Sequence, residues 1–124
     1  MKNEKEILII DDDNKNIFAL SAVLKARKYN CIAAISAGEG LEMLAENKNI
    51  SVVLMDMMMP QMDGYEAIAQ IKTDEKLSGI PVIAITAQAM MGDREKCMAA
   101  GADGYLSKPV NVDELLILLN DLMK

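Results

Sequence analysis

Short apolar runs alternate along the chain with longer segments whose apolar positions return every three or four residues, and the alternation occurs five times. The first run, Ile7-Leu8-Ile9-Ile10, is unbroken, rich in β-branched residues and bounded by acids. Such a run predicts a strand over about Glu6–Asp11 that is covered on both faces. From about Asn14 to Lys28 the period changes, with Ile17, Leu20, Ser21 and Leu24 on one helical face. Lys25, Arg27 and Lys28 then sit favourably at the negative end of that helix's dipole. A second strand is expected at about Cys31–Ile35. Ser36 and Glu39 form a capping box for a helix through about Asn47. The third strand spans about Ser51–Asp56. Beyond a Pro-containing loop, Asp63 and Glu66 make a similar box and open a helix to about Thr73. Pro81 introduces a fourth strand, Val82–Thr86. The next helix begins at Met90 or Met91, runs to Ala100 and stops at Gly101, a residue suited to a left-handed helix end. Gly104–Ser107 is a short fifth strand. Asn111 and Glu114 cap the last helix, whose apolar face is Leu115, Leu116, Leu118, Leu119 and Leu122.

Strand followed by helix, five times over, defines an α/β fold, a doubly wound five-stranded parallel sheet with helices on both faces. The 124 residues fit one domain spanning residues 1–124. Ligands of such sheets bind beyond the carboxyl ends of the strands, near the switch in strand order. The strand ends are therefore the place to look for chemistry.

The first strand ends in Asp11-Asp12-Asp13, the third in Asp56 and the fourth in Thr86, and the fifth is followed by Lys108-Pro109. Carboxylates that converge in one cleft repel each other unless a cation or a proton intervenes. An oxygen-only set suits a hard ion, and Mg²⁺ with few protein ligands fits best. A hydroxyl and an ammonium opposite that ion are what phosphoryl oxygens require, and an ionised Asp between them can attack phosphorus. Each residue also has a plain structural explanation. Three acids before a helix can serve only as cap and dipole complement, Asp13 most of all. Asp56 can be an ordinary strand-to-loop acid, Thr86 a strand residue and Lys-Pro a turn. Agreement of five residues at four strand ends favours the chemical reading.

Composition narrows the options. The sequence contains no histidine, which removes a His-based triad, a His-ligated metal and a phosphohistidine carried by this chain. A net charge of −6 argues against nucleic-acid binding through a basic surface. No apolar run approaches the roughly 20 residues of a membrane span, and the first residues lack a signal-peptide core, so a cytoplasmic location is expected. Cys31 and Cys97 lie in no metal-type spacing and are expected as unpaired, at least half-buried thiols.

These segments together resemble the response-regulator receiver family over essentially the whole chain. The matching pieces are Ile7-Leu8-Ile9-Ile10-Asp11-Asp12, Val53-Leu54-Met55-Asp56-Met57-Met58-Met59-Pro60, Met62-Asp63-Gly64, Ile85-Thr86-Ala87 and Gly104-Tyr105-Leu106-Ser107-Lys108-Pro109. The resemblance implies a flavodoxin-like receiver fold and a phosphoacceptor rather than a turnover enzyme. It implies that Asp56 takes a phosphoryl group from a histidine kinase or histidine phosphotransfer domain. Asp12 then corresponds to a direct Mg²⁺ ligand, Asp11 to a ligand through water, and Met58 to a ligand through its backbone carbonyl. Thr86 and Lys108 correspond to the groups that hold phosphoryl oxygens, and Tyr105 to the switch aromatic. The face made by the fourth helix, fifth strand and fifth helix is implied as the surface for a downstream protein. The resemblance further implies a cis Lys108-Pro109 peptide, and Gly64 is expected in a backbone conformation that Cβ would penalise. Met58 and Gln88 depart from the best-known members at two positions that influence hydrolysis of the acyl phosphate.

Asn16-Ile17-Phe18-Ala19-Leu20, the loop after Asp56 and Met91–Cys97 look most like receivers attached to hybrid sensor kinases. A stand-alone receiver or one excised from such a kinase is expected. Core filling accounts for most of the eleven methionines. Met57–Met59 and Met90-Met91 are also placed to offer an adaptable docking surface. Three rivals share parts of the pattern. Asp11-Asp12-Asp13 contains the Asp-x-Asp of haloacid-dehalogenase-like phosphatases, but Asn14 and Lys15 fit that motif poorly. A flavodoxin-like electron carrier has the architecture, but this chain has 3% aromatics and no evident phosphate-cradling loop. A purely structural interaction module would survive Asp56→Asn with unchanged signalling.

Overall fold

The computed structural model describes residues 5–57, 64–86 and 93–123. Five strands are present: β1 (Glu6–Ile10), β2 (Asn30–Ala34), β3 (Ile50–Asp56), β4 (Val82–Thr86) and β5 (Gly104–Ser107). They alternate with α1 (Asn14–Ala26), α2 (Ala37–Glu46), α3 (Gly64–Thr73), α4 (Asp93–Ala100) and α5 (Val112–Leu122). All strands are parallel, in the order β2-β1-β3-β4-β5. The chain moves outward from β1 to β2 and then returns to the other side of β1, so the strand order reverses between β1 and β3. In such sheets the crevice that takes ligands lies at that reversal, beyond the carboxyl ends of the strands.

Both faces of the sheet are covered, as the unbroken apolar strands require. Alternation along β1 sends Ile7 and Ile9 one way, where they pack with Val52, Leu54, Ile83 and Leu24 of α1 and with Leu115 and Leu119 of α5. Leu8 and Ile10 point the other way, toward Leu44 of α2, Ile68 and Ile71 of α3, and Cys97 of α4. Cys97 is buried, Cys31 is half-buried and neither is in a disulfide.

The expected caps are present where the structure describes them. Ser36 Oγ accepts from Glu39 N (3.1 Å), and Glu39 Oε1 accepts from Ile35 N (2.8 Å). The returning arm of the box thus reaches one residue beyond the cap. Asn111 Oδ1 accepts from Glu114 N at 3.1 Å. The Asp63 half of the expected box before α3 lies outside the described residues, as do Met90, Met91 and Gln88.

Some boundaries differ from the sequence reading. β1 ends at Ile10, and Asp11 already belongs to the loop. α1 ends at Ala26 rather than Lys28, because Lys28 takes a left-handed φ of 71°. Tyr29 N donates to Leu24 O and Lys28 N to Lys25 O, the Schellman pattern, with Tyr29 and Leu24 in the same apolar cluster. α4 ends in the same pattern at Gly101 (φ 117°), with Ala102 N on Cys97 O and Gly101 N on Met98 O. β3 starts at Ile50, because its register against β1 shifts between Glu6 and Ile7. Gly64 is not in a left-handed conformation. Its lack of a side chain serves space instead: a Cβ there would lie 2.8 Å from Met57 Sδ and 3.0 Å from Met57 Cα.

At the amino edge of the sheet an ion pair ties several elements together. Lys72 Nζ of α3 lies 2.7 Å from Asp103 Oδ2 and donates to Ile80 O at 2.9 Å. Asp103 Oδ2 also accepts from Val82 N (2.9 Å), and Asp103 N donates to Val82 O (2.7 Å). Among the described residues, no helix is long and apolar enough to cross a membrane.

Candidate functional site: an acidic crevice at the switch point

Register brings the acids together. Ile10 of β1 is level with Met55 of β3, so the next residues, Asp11 and Asp56, stand side by side where the strand order reverses. Asp11 N donates to Ala34 O (3.1 Å), and Met57 N donates to Ile85 O (2.8 Å), which fixes both strand ends against their outer neighbours. Asp11 and Asp56 are only 3% and 4% exposed, while Asp12 faces solvent. One carboxylate oxygen from each of Asp11, Asp12 and Asp56 lies within 4.8 Å of the others. Asp13 instead caps α1, its side chain accepting from Lys15 N at 2.9 Å. Its own N–H donates to Asp11 Oδ1, also at 2.9 Å.

Lys108 approaches from the loop after β5. Its Nζ lies 3.6 Å from Asp56 Oδ2 and 3.8 Å from Asp11 Oδ2. Lys108 N donates to Thr86 O (2.7 Å), and the Lys108-Pro109 peptide is cis. Thr86 is buried at the carboxyl end of β4, next to Ile85, which pairs with Asp56. Tyr105, on β5, is half-buried and packs against the core on the α2, α3 and α4 face. Met58, expected to contribute a backbone carbonyl, lies outside the described residues. Met57 is buried in the core, which removes it from the expected docking cluster. Its neighbours Met58 and Met59, and the Met90-Met91 pair, lie outside the described residues.

The electrostatics are unbalanced in the direction that favours a cation. Burial raises the pKa of Asp11 above the ordinary 3.8; the Asp13 N–H opposes this, the charge of Asp56 and a hydrogen bond with its side chain add to the rise, and Lys108 counters it. One ammonium does not offset three carboxylates. The donor set is oxygen only and mixes buried with exposed carboxylates, which fits a hard divalent ion that keeps part of its water shell. The residues present therefore fit Mg²⁺.

Sequence reasoning named all of these strand-end groups. It missed two features of their surroundings: the packing of Gly64 on Met57, and the position of Phe18 on α1. Phe18 is 76% exposed although it is the chain's only phenylalanine. The Met-Asp-Gly match hinted at the first. The second was legible in the helical period, which puts residue 18 off the face of Ile17, Leu20 and Leu24.

Fold and crevice together define a flavodoxin-like α/β domain with a metal-type acidic site at its switch point. The chain belongs to the response regulator receiver domain family, whose sequence profile matches residues 7–120. It is a receiver domain of two-component signalling. It is similar to the polar-differentiation response regulator DivK of Brucella ovis, 36% identical over 112 residues that cover 90% of each chain. Among solved structures it resembles the receiver domain of a sensor histidine kinase from Pseudomonas aeruginosa (34% identity, TM-score 0.85, 96% of this chain and 97% of that one). That structure has a magnesium ion coordinated in its active-site cleft. A CheY-like receiver domain protein from Methanospirillum hungatei is also similar (32% identity, TM-score 0.83, 94% and 91% covered).

Proposed function

We propose that Asp56 accepts a phosphoryl group from a phosphohistidine on a histidine kinase or histidine phosphotransfer domain, in a cytoplasmic two-component system or phosphorelay. The observation that carries this reading is Asp56 itself, buried at the switch point among Asp11, Asp12 and Lys108. Asp11, Asp12 and Asp56 would hold Mg²⁺, with the backbone carbonyl of Met58 as a further ligand. When bound, the ion neutralises the carboxylates and the phosphoryl oxygens. A carboxylate oxygen of Asp56 attacks phosphorus as the donor's N–P bond breaks, and the bonding pair returns to the imidazole nitrogen. Lys108, already 3.6 Å from Asp56, takes up charge on the transferred group, and the Thr86 hydroxyl holds another of its oxygens. The chain is thus a signalling phosphoacceptor that catalyses its own phosphorylation and dephosphorylation.

The added charge would draw Thr86 inward and let Tyr105 move into the space it leaves. Ala84 pairs with Tyr105 and Thr86 with Ser107, so the two residues sit on neighbouring strands, as the coupling needs. Tyr105 lines a groove between α4, β5 and α5 together with Arg94, Met98, Glu114, Ile117 and Leu118. This face would receive the downstream protein. The test is transfer of radiolabelled phosphate from a phosphorylated histidine phosphotransfer domain. Label should reach the wild-type chain but not Asp56→Asn, and EDTA should suppress it. Equal transfer with EDTA present would contradict the reading.

A further inference from the structure

We propose that Gly64 is a positioning residue for the crevice, because its missing side chain lets the start of α3 seat directly on the main chain that follows Asp56. The inference rests on the reading of Asp56 and its neighbouring acids as the Mg²⁺ and phosphoryl site. Met57 is held from two sides. Its N–H donates to Ile85 O (2.8 Å) on β4, and Gly64 closes on it from α3. A Cβ at residue 64 would meet Met57 Sδ at 2.8 Å, Cα at 3.0 Å and Cε at 3.1 Å. Two of those atoms belong to a flexible side chain, but Cα is main chain, bonded to the carbonyl carbon that begins the loop after the acid.

α3 has no easy retreat. Ala67, Ile68 and Ile71 are fully buried against the sheet. Tyr65 has Lys96 Nζ of α4 at 4.6 Å from its ring centroid, and Lys72 ties the far end of the helix to Asp103. A side chain at residue 64 therefore displaces Met57 rather than the helix. Displacing Met57 moves the Asp56 carboxylate relative to Asp11 and Asp12, which must converge on one ion. Gly40 offers a contrast. A Cβ there would meet only side chains, with Ile10 Cδ1 nearest, although Ile10 also precedes a site acid. Crowding at Gly40 strains the core without pushing on the main chain of the crevice.

The experiment compares Gly64→Ala, Gly40→Ala and the double variant Gly64→Ala with Met57→Ala. Each is measured for thermal unfolding, for Mg²⁺ affinity by calorimetric titration with Mg²⁺ alone, and for phosphate uptake from acetyl phosphate by intact mass. Gly64→Ala should weaken Mg²⁺ binding and slow uptake by about ten- to a hundred-fold, the penalty for misplacing reacting groups by a fraction of an ångström to one ångström. Gly40→Ala should lower the unfolding temperature and leave Mg²⁺ affinity unchanged. Shortening Met57 removes the Sδ and Cε contacts and should restore part of the Mg²⁺ affinity. The inference is overturned if folded Gly64→Ala binds Mg²⁺ as wild type does, if Gly40→Ala weakens Mg²⁺ equally, or if the double variant folds but recovers nothing. If Gly64→Ala does not fold, the double variant decides by itself: Mg²⁺ binding regained together with the fold supports the inference, and folding without Mg²⁺ binding overturns it. The Mg²⁺ arm stands even if Asp56 takes up no phosphate, so failure of the acceptor assignment and failure of this inference are distinguishable.

Discussion

Asp11 and Asp56 are buried acids that stand side by side, and only one ammonium among the described residues stands within ion-pair distance of them. Burial sets the direction of the Asp11 shift, upward from 3.8. In the metal-free protein, ionising Asp11 is harder in the folded chain than in the unfolded one. Its contribution to stability is therefore fully present below the unfolded value and is lost as pH rises through the raised folded value. Bound Mg²⁺ would reverse the preference, since it would need the carboxylate. Its affinity should fall as pH is lowered into the window above 3.8, by up to about tenfold per pH unit while one proton competes with the ion. Mg²⁺ titrations at a series of pH values from neutral to mildly acid check this, and a flat affinity across the series would be inconsistent with it. At this scale the sequence was highly legible. Asp11, Asp56, Thr86 and Lys108 all stand where the strand ends put them. What it did not reveal were relations between residues far apart in the chain, such as Gly64 against Met57, because no local pattern encodes a close approach.

The elements repeat that lesson at their boundaries. β4 and β5 have the expected ends, since Pro81, Gly104 and the apolar runs punctuate them. The end of α4 was legible because glycine marks it; the end of α1 was not, because Lys28 takes the same left-handed role without a glycine to announce it. The early start of β3 follows from a register shift that only pairing with β1 creates. Two predictions belong here. Asp103 ties α3, β4 and the turn after α4, and Asp103→Ala leaves the Val82 N–H and Lys72 without it. A loss of about 1–3 kcal/mol is expected in urea unfolding, most of it from the buried N–H because the ion pair is partly exposed. An unchanged midpoint would rule that out. Phe18 stands exposed on α1, just after the acids. A donor protein that buries its own surface there would gain a contact that a small phosphodonor never makes. Phe18→Asp should slow transfer from a histidine phosphotransfer domain by about tenfold or more and leave acetyl phosphate uptake unaltered. Equal slowing with both donors would speak for damage to the crevice instead.

For the molecule as a whole, the sheet separates two tasks. Its carboxyl edge gathers charge at the switch point, while the Lys72–Asp103 tie secures the amino edge. The groove beside Tyr105 is flanked by Met98 and by Ile117, which is 62% exposed. Arg94, Glu114 and Leu118 also line it, beside β5 and two strands from Asp56 on β3. These 124 residues hold no histidine, so a phosphohistidine donor of the kind proposed would lie outside them. In the proposed function Asp56 is the residue that takes the phosphate. This role is tested most directly by incubating wild type and Asp56→Asn with acetyl phosphate and Mg²⁺ and measuring intact mass. One added phosphoryl group is expected on wild type and none on Asp56→Asn. A single phosphate on both proteins would contradict it.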